Sequence, residues 1–353
     1  AGIYITATGT ANPTITANNN TITFAIPYEN NTSTYQAPSN QAGIFITSNN
    51  YNGVINNITA ENNVISFVGG SANQGIGIYM TEGVIKNGNI SDNQITLTDS
   101  MISQGISIQQ RAATNVVESL TLDAIDNNTI HFAQSDIVGL TTIGKTGIYI
   151  SNIVDNGDDS TQHIGSISDN IIVIDVTSSD NNDPANFGIH TVVNSAHQTI
   201  DKMSSNVIHF PLGDHDTGIS IENTGHGGVQ TINEFTGNTV YFFPASSGVL
   251  AGTDTHIINI IVHIDKGIDP NLTTIKKFNS NGVGLGSAWP TVGLTVDIGT
   301  LDNLAIFTDE TKIRETGLNS LIYWNKRTMN YSVNGVVGAD TPLNIEVFNN
   351  PVI

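Results

Sequence analysis

Three carboxylates crowd one short stretch, Asp155, Asp158 and Asp159, and a histidine stands between glycines at Gly225-His226-Gly227. Paired carboxylates are what acid–base hydrolysis of a glycosidic bond requires, one to protonate the leaving oxygen and one to activate water. The same hard oxygens suit calcium, so Asp155, Asp158 and Asp159 are also the candidate metal ligands, for a structural calcium ion. No other cofactor is expected. His190, His197, His209, His215 and His226 form a second group, with Asp214 and Asp216 beside His215. Such a set invites a zinc or iron reading. Nothing resembling a nucleophile elbow accompanies these residues, which argues against Ser-His-Asp chemistry.

What must hold these side chains is a repeat. Its opening phrase is Gly-Ile-x-Ile or a close variant, starting at Gly2, Gly43, Gly77, Gly105, Gly147, Gly188 and Gly218. Its closing phrase is Asn-x-[Ile/Val]-x-[Phe/Leu/Ile], starting at Asn20, Asn63, Asn93, Asn128, Asn170, Asn206 and Asn238. Successive opening glycines lie 41, 34, 28, 42, 41 and 30 residues apart. Two constant phrases at a variable period predict constant strands joined by variable loops. Alternation sends Ile148, Ile150, Ile130 and Phe132 to one face, and Tyr149 and His131 to the other. The steps Ile164, Ile167 and Asn170 require a bend before the closing strand, and Asn suits it by tolerating left-handed backbone.

No unit can bury its own apolar face, so units must stack and share a core. The expected fold is all-β, a right-handed parallel β-helix with three short strands per turn and turns about 4.8 Å apart. On these phrases the chain resembles the pectate-lyase-like β-helix superfamily over residues 1–264, a fold that hosts lyases, hydrolases, adhesins and phage tailspikes. Asp158-Asp159 and Gly225-His226-Gly227 are similar to strings of the polygalacturonase family. That resemblance implies catalytic carboxylates at Asp158 and Asp159 supported by His226. Asp155 and His226 each fall eight residues after an opening glycine, in one turn column, but two repeats apart. The Arg-Ile-Lys that follows Gly-His-Gly in that family is missing, and Lys312-Ile313-Arg314 lies far downstream. A lyase would need a base near the acidic turn, and Lys145 is the nearest. No catalytic set is therefore expected; Asp158, Asp159 and His226 are the alternative.

Binding has a simpler basis. The outward residues of the opening phrases are Tyr4, Phe45, Tyr79, Ser107, Tyr149, His190 and Ser220, which stacking would bring into one column. Exposed rings on a flat sheet stack on sugar faces, so Tyr4, Phe45, Tyr79, Tyr149 and His190 are the candidate glycan-binding residues. Long insertions at Ala25–Ala42, Ala133–Thr146 and Asp175–Phe187 leave from one corner beside that column.

Charge narrows the partners. The chain of 353 residues carries a formal net charge of −20, and residues 1–264 hold only Lys86, Arg111, Lys145 and Lys202 as bases. Such a surface disfavours nucleic acid and anionic membranes. There is no cysteine, hence no disulfide or thiolate site, and no apolar run of membrane-spanning length. An extracellular, cell-surface or virion location is expected.

Past Gly248 the two phrases fade. Residues 265–287 read as a polar, Gly-rich linker, and 288–353 as a small β-rich module with a hairpin at Asn334-Gly335. Asn303-Leu-Ala-Ile-Phe-Thr-Asp and Ser320-Leu-Ile-Tyr-Trp-Asn make this module similar to β modules of phage tail fibres and tailspikes. The resemblance implies a receptor-binding surface protein and a trimer about this module. Ala1-Gly2-Ile3 starts within a repeat with no cap ahead of it, so end-to-end stacking is the alternative form of a homo-oligomer. An enzyme degrading polysaccharide and a filament or surface-layer subunit are the rival functions.

Overall fold

The computed structural model describes residues 1–7, 12–25, 41–69, 72–98, 102–112, 118–133, 144–154, 160–176, 186–211, 216–242, 258–264, 272–279, 281–285, 294–298, 303–308, 332–333, 336–337 and 345–349. These residues are all-β, without a helix. Each repeat supplies an opening, a middle and a closing strand, as in Lys145–Val154, Thr161–Ser168 and Ile171–Asp175. Every one pairs in parallel with its equivalent one repeat later: Ile148 with Ile189, Ile164 with Ile200, Ile172 with Ile208. Closing strands form an eight-stranded sheet in strict chain order, and opening and middle strands form the other sheet. Parallel sheets stacked this way are compatible with a β-solenoid.

The alternation works as expected. Ile148, Ile150, Ile130 and Phe132 are fully buried in one core cluster that runs from Ile15 to Phe278. Like stacks on like within it: Phe24 lies over Phe67 at 4.7 Å, and Phe235 over Phe278 at 5.3 Å. A parallel in-register stack places each residue on its counterpart, so β-branched isoleucines line the interior in columns.

The bend before the closing strand differs in detail from expectation. Left-handed backbone falls on the residue preceding the repeated asparagine, at Asn19, Asn62, Asp92, Asn127, Asp169 and Ser205, with φ between 55° and 59°. Gly237 takes that place in the next repeat with φ 66°. The repeated asparagine instead turns inward. Asn63, Asn93, Asn128, Asn170 and Asn206 are wholly buried, and each donates its amide Nδ2 to Oδ1 of the next at 2.9, 2.9, 3.0, 2.9 and 2.8 Å. The ladder begins at Asn20 and continues through Asn238 to Asn281. A second buried amide run, Gln230 to Gln198 to Gln162, bonds at 2.9 and 2.7 Å on the inner face of the middle strands.

Asn281 lies inside the segment expected to be a linker. Leu272–Ile275 and Gly282–Leu285 are strands paired in parallel with the preceding repeat, so the described residues of this stretch continue the stack. Its short strands and changed phrases hide it from a search for the opening and closing patterns. Leu294–Ile298, Asn303–Thr308 and Ile345–Asn349 also pair in parallel, each with a strand of the previous turn. Ser332–Val333 and Val336–Val337 pair antiparallel around Asn334-Gly335, which itself lies outside the described residues, as does the segment Leu321–Trp324.

Candidate functional site

The outer face of the opening strands carries the ring residues, and its register decides which of them meet. Tyr4 pairs with Phe45, Phe45 with Gly77, Gly77 with Ser107, Ser107 with Tyr149, Tyr149 with His190, and His190 with Ser220. Tyr79 is not in this column. It pairs with Thr47 and Gln109, two residues further along the strand on the same face. The structural opening glycine of that repeat is Gly75, aligned with Gly43 and Gly105. At Gly75 an added Cβ would lie 2.5 Å from the carbonyl oxygen of Gly105 and 2.5 Å from Ile95 Cγ2. Only glycine fits that corner, whereas a Cβ at Gly77 would meet side chains on the outer face, Gln74 and Phe45.

Two groups of rings result. Tyr4 and Phe45 stack at 5.6 Å with planes 12° apart, and Tyr4 is 62% exposed. Two turns beyond Gly77, Tyr149 meets His190 edge-on at 5.4 Å, and Phe187 stacks on His190 at 4.4 Å. Between them the floor is polar. Gln109 Nε2 donates to Ser107 Oγ at 2.8 Å, and Gln74 Nε2 donates to Gln104 Oε1 at 3.0 Å. Ser107, Ser151 and Ser220 point outward by alternation yet are buried. The second half of the column is therefore largely covered, with Tyr149, Phe187 and His190 half-buried, rather than an open ladder.

His190 Nε2 lies 2.9 Å from Glu222 Oε1, outside hydrogen-bond alignment. Ser220 Oγ is 3.2 Å from that same carboxylate oxygen. Burial raises the Tyr149 phenol above its ordinary pKa, opposed by its hydrogen bond with Ser151 and reinforced by Glu222. It therefore presents a neutral hydroxyl at physiological pH. Sequence reading named Tyr149 and His190 but not Phe187, Glu222 or the glutamines. The signal for Phe187, Gln74 and Gln104 was the residue before each opening glycine, since Gln74, Gln104, Thr146 and Phe187 stack in register; Glu222 and Gln109, further along their strands, carried no such signal.

Asp155, Asp158 and Asp159 lie outside the described residues. His226 is exposed in the turn after an opening strand, between Gly225 and Gly227 with φ of 82° and 68°, and its N–H donates to Ser195 Oγ at 2.9 Å. The other histidines do not converge. His190 is on an opening strand, His197 begins a middle strand, and His209 is on a closing strand against Tyr241. His215 lies outside the described residues. Among the described residues no group of three or more His, Cys, Asp or Glu side chains is placed to hold a metal. No described helix is long and apolar enough to cross a membrane. Comparison with protein-family models, curated proteins and solved structures finds no match.

Proposed function

We propose that this chain is a right-handed parallel β-helix of the pectate-lyase-like kind, displayed outside the cell or on a virion, whose opening-strand face binds glycans. The observation that carries the reading is the placement of rings and amides on one rigid face. Phe45 at one end and Tyr149, His190 and Phe187 at the other flank a strip of glutamines and serines. Rings supply stacking area for sugar faces, and amides and hydroxyls supply paired donors and acceptors for sugar hydroxyls. A parallel sheet holds them at fixed spacing, so little ordering cost is left for binding. Tailspike-like or adhesin-like attachment is the role such a face serves.

The His190–Glu222 contact favours a second reading, an enzyme cleaving polysaccharide, because a carboxylate and an imidazole beside a neutral phenol are acid–base groups. A glycan array and a reducing-sugar assay on one preparation separate the two. Binding that is lost in Tyr149→Ala/His190→Ala, without sugar release by the unaltered protein, supports the attachment role. Sugar release abolished by Glu222→Gln or by Asp158→Asn/Asp159→Asn would replace it with the enzyme. Neither binding nor release across a broad array would remove both.

A further inference from the structure

The closing-strand sheet presents a face unlike the rest of the molecule. Six large apolar side chains are exposed among the described residues, and four of them lie on this face: Val64 and Val68 at 43%, Ile171 at 47% and Tyr241 at 37%. Its other outward positions are mostly threonine, serine, valine and histidine. Asp175 is the one carboxylate among its described outward side chains, and none is lysine or arginine. The middle-strand face is the contrast, with Glu61, Asp123, Asp126, Asp201, Lys202 and Glu234. On a chain of net charge −20, a nearly uncharged, flat, β-branched face requires an explanation.

We infer that the outer face of the closing-strand sheet is a self-association surface, on which a second copy of this chain packs sheet against sheet. Charge selects the occupant. Copies of so acidic a chain repel through faces that carry carboxylates, and this face brings two copies together with the fewest like charges opposed. Geometry agrees, because in-register strands with small β-branched side chains form a flat, self-complementary surface, and sheets stack about 10 Å apart. One patch meeting itself about a two-fold axis closes the assembly as a dimer. Size sets the strength. Successive closing strands pair without register shifts from Thr21–Ala25 to Thr239–Phe242. At about 4.8 Å per strand the patch spans roughly 30 Å by 15 Å, on the order of 450 Å² per partner. Two such patches bury about 900 Å², below the range of permanent interfaces, so the dimer is reversible. The inference is independent of the glycan reading, which uses the opening-strand face.

The test is sedimentation equilibrium of the full chain from about 5 to about 200 µM, at about 50 and about 500 mM salt. The mass is expected to rise from the 37.4 kDa monomer toward twice that value with concentration, and more steeply at high salt, where repulsion is screened. Val64→Lys/Ile171→Lys should remain monomeric with an unchanged melting temperature. Val64→Thr/Ile171→Thr, which keeps the branched shape, should shift the midpoint to at least severalfold higher concentration. Thr121→Lys on the middle-strand face should associate like the unaltered chain. A chain monomeric throughout the range overturns the inference, whatever other partner the face then has. So does association undiminished in both double variants, which would place the contact at the ends or elsewhere.

Discussion

Asn128 donates twice to a single atom: its backbone N–H and its side-chain Nδ2 each reach Oδ1 of Asn170 at 3.0 Å. Asn93 does the same to Asn128, at 3.1 and 2.9 Å, and Asn128 Nδ2 also donates to the Ile90 carbonyl at 2.9 Å. With both residues fully buried, water does not compete, and aligned amides polarise one another along the stack. Asn128→Ala leaves two donors of Asn93 and the Ile90 carbonyl without their partner. Each buried orphan costs about 1–3 kcal/mol, so with three of them a loss of at least about 3 kcal/mol is expected in urea unfolding. A loss under about 1 kcal/mol would mean the ladder relaxes freely.

The corner glycines set a steric limit. At Gly147 an added Cβ would sit 2.5 Å from the Gly188 carbonyl oxygen and 2.5 Å from Ile172 Cγ2. One of these is backbone of the next turn and the other is packed core, so neither yields cheaply. Gly147→Ala should lower stability by about 1–3 kcal/mol, with faster amide exchange across Lys145–Val154 and Asn186–Asn194. Unchanged exchange in both strands would refute the close fit.

Neighbouring residues on one strand should respond oppositely. Ile148 is fully buried in the core, while Tyr149 faces outward beside His190. Ile148→Asp places an unpaired carboxylate inside and should cost several kcal/mol, melting the surrounding repeats. Tyr149→Ser should keep the far-ultraviolet circular dichroism and most of the melting temperature. If Tyr149→Ser unfolds the chain as fully as Ile148→Asp, that face is part of the core.

Asp126 makes stability depend on pH in a definite sense. Burial raises its pKa above 3.8, outweighing hydrogen bonds from Ser166 Oγ and the Ser168 N–H, with Asp169 adding to the rise and Lys202 opposing it. Because the folded-state pKa is the higher one, the group's contribution is fully present below pH 3.8 and is lost as pH rises through the folded value. The unfolding free energy of the unaltered chain minus that of Asp126→Asn should therefore fall as pH rises above 3.8. A difference that rises instead would show that the two hydrogen bonds dominate over burial.

The chain's own pattern determined the strand alternation, the isoleucine core and the recurring asparagine, because these are local properties. A period of two and a bend at Asn-x-Ile are readable wherever they recur. Which repeats align was not readable in the same way. Gln74-Gly75-Ile76-Gly77-Ile78 offers two equivalent local alignments, and only the contact of Gly75 with Ile95 and Gly105 in neighbouring strands chooses between them, moving Tyr79 out of the ring column. The inward turn of Asn63 through Asn281 was equally hidden, since an asparagine at a bend satisfies local rules whether it faces water or the next asparagine. Ser107 and Ser220 obey outward alternation and are buried nonetheless, because burial of an outer face depends on what packs over it. Periodicity along one chain specifies which face a residue takes; the partner on that face comes from a strand about 30 to 40 residues away, and only the stacked structure brings it there.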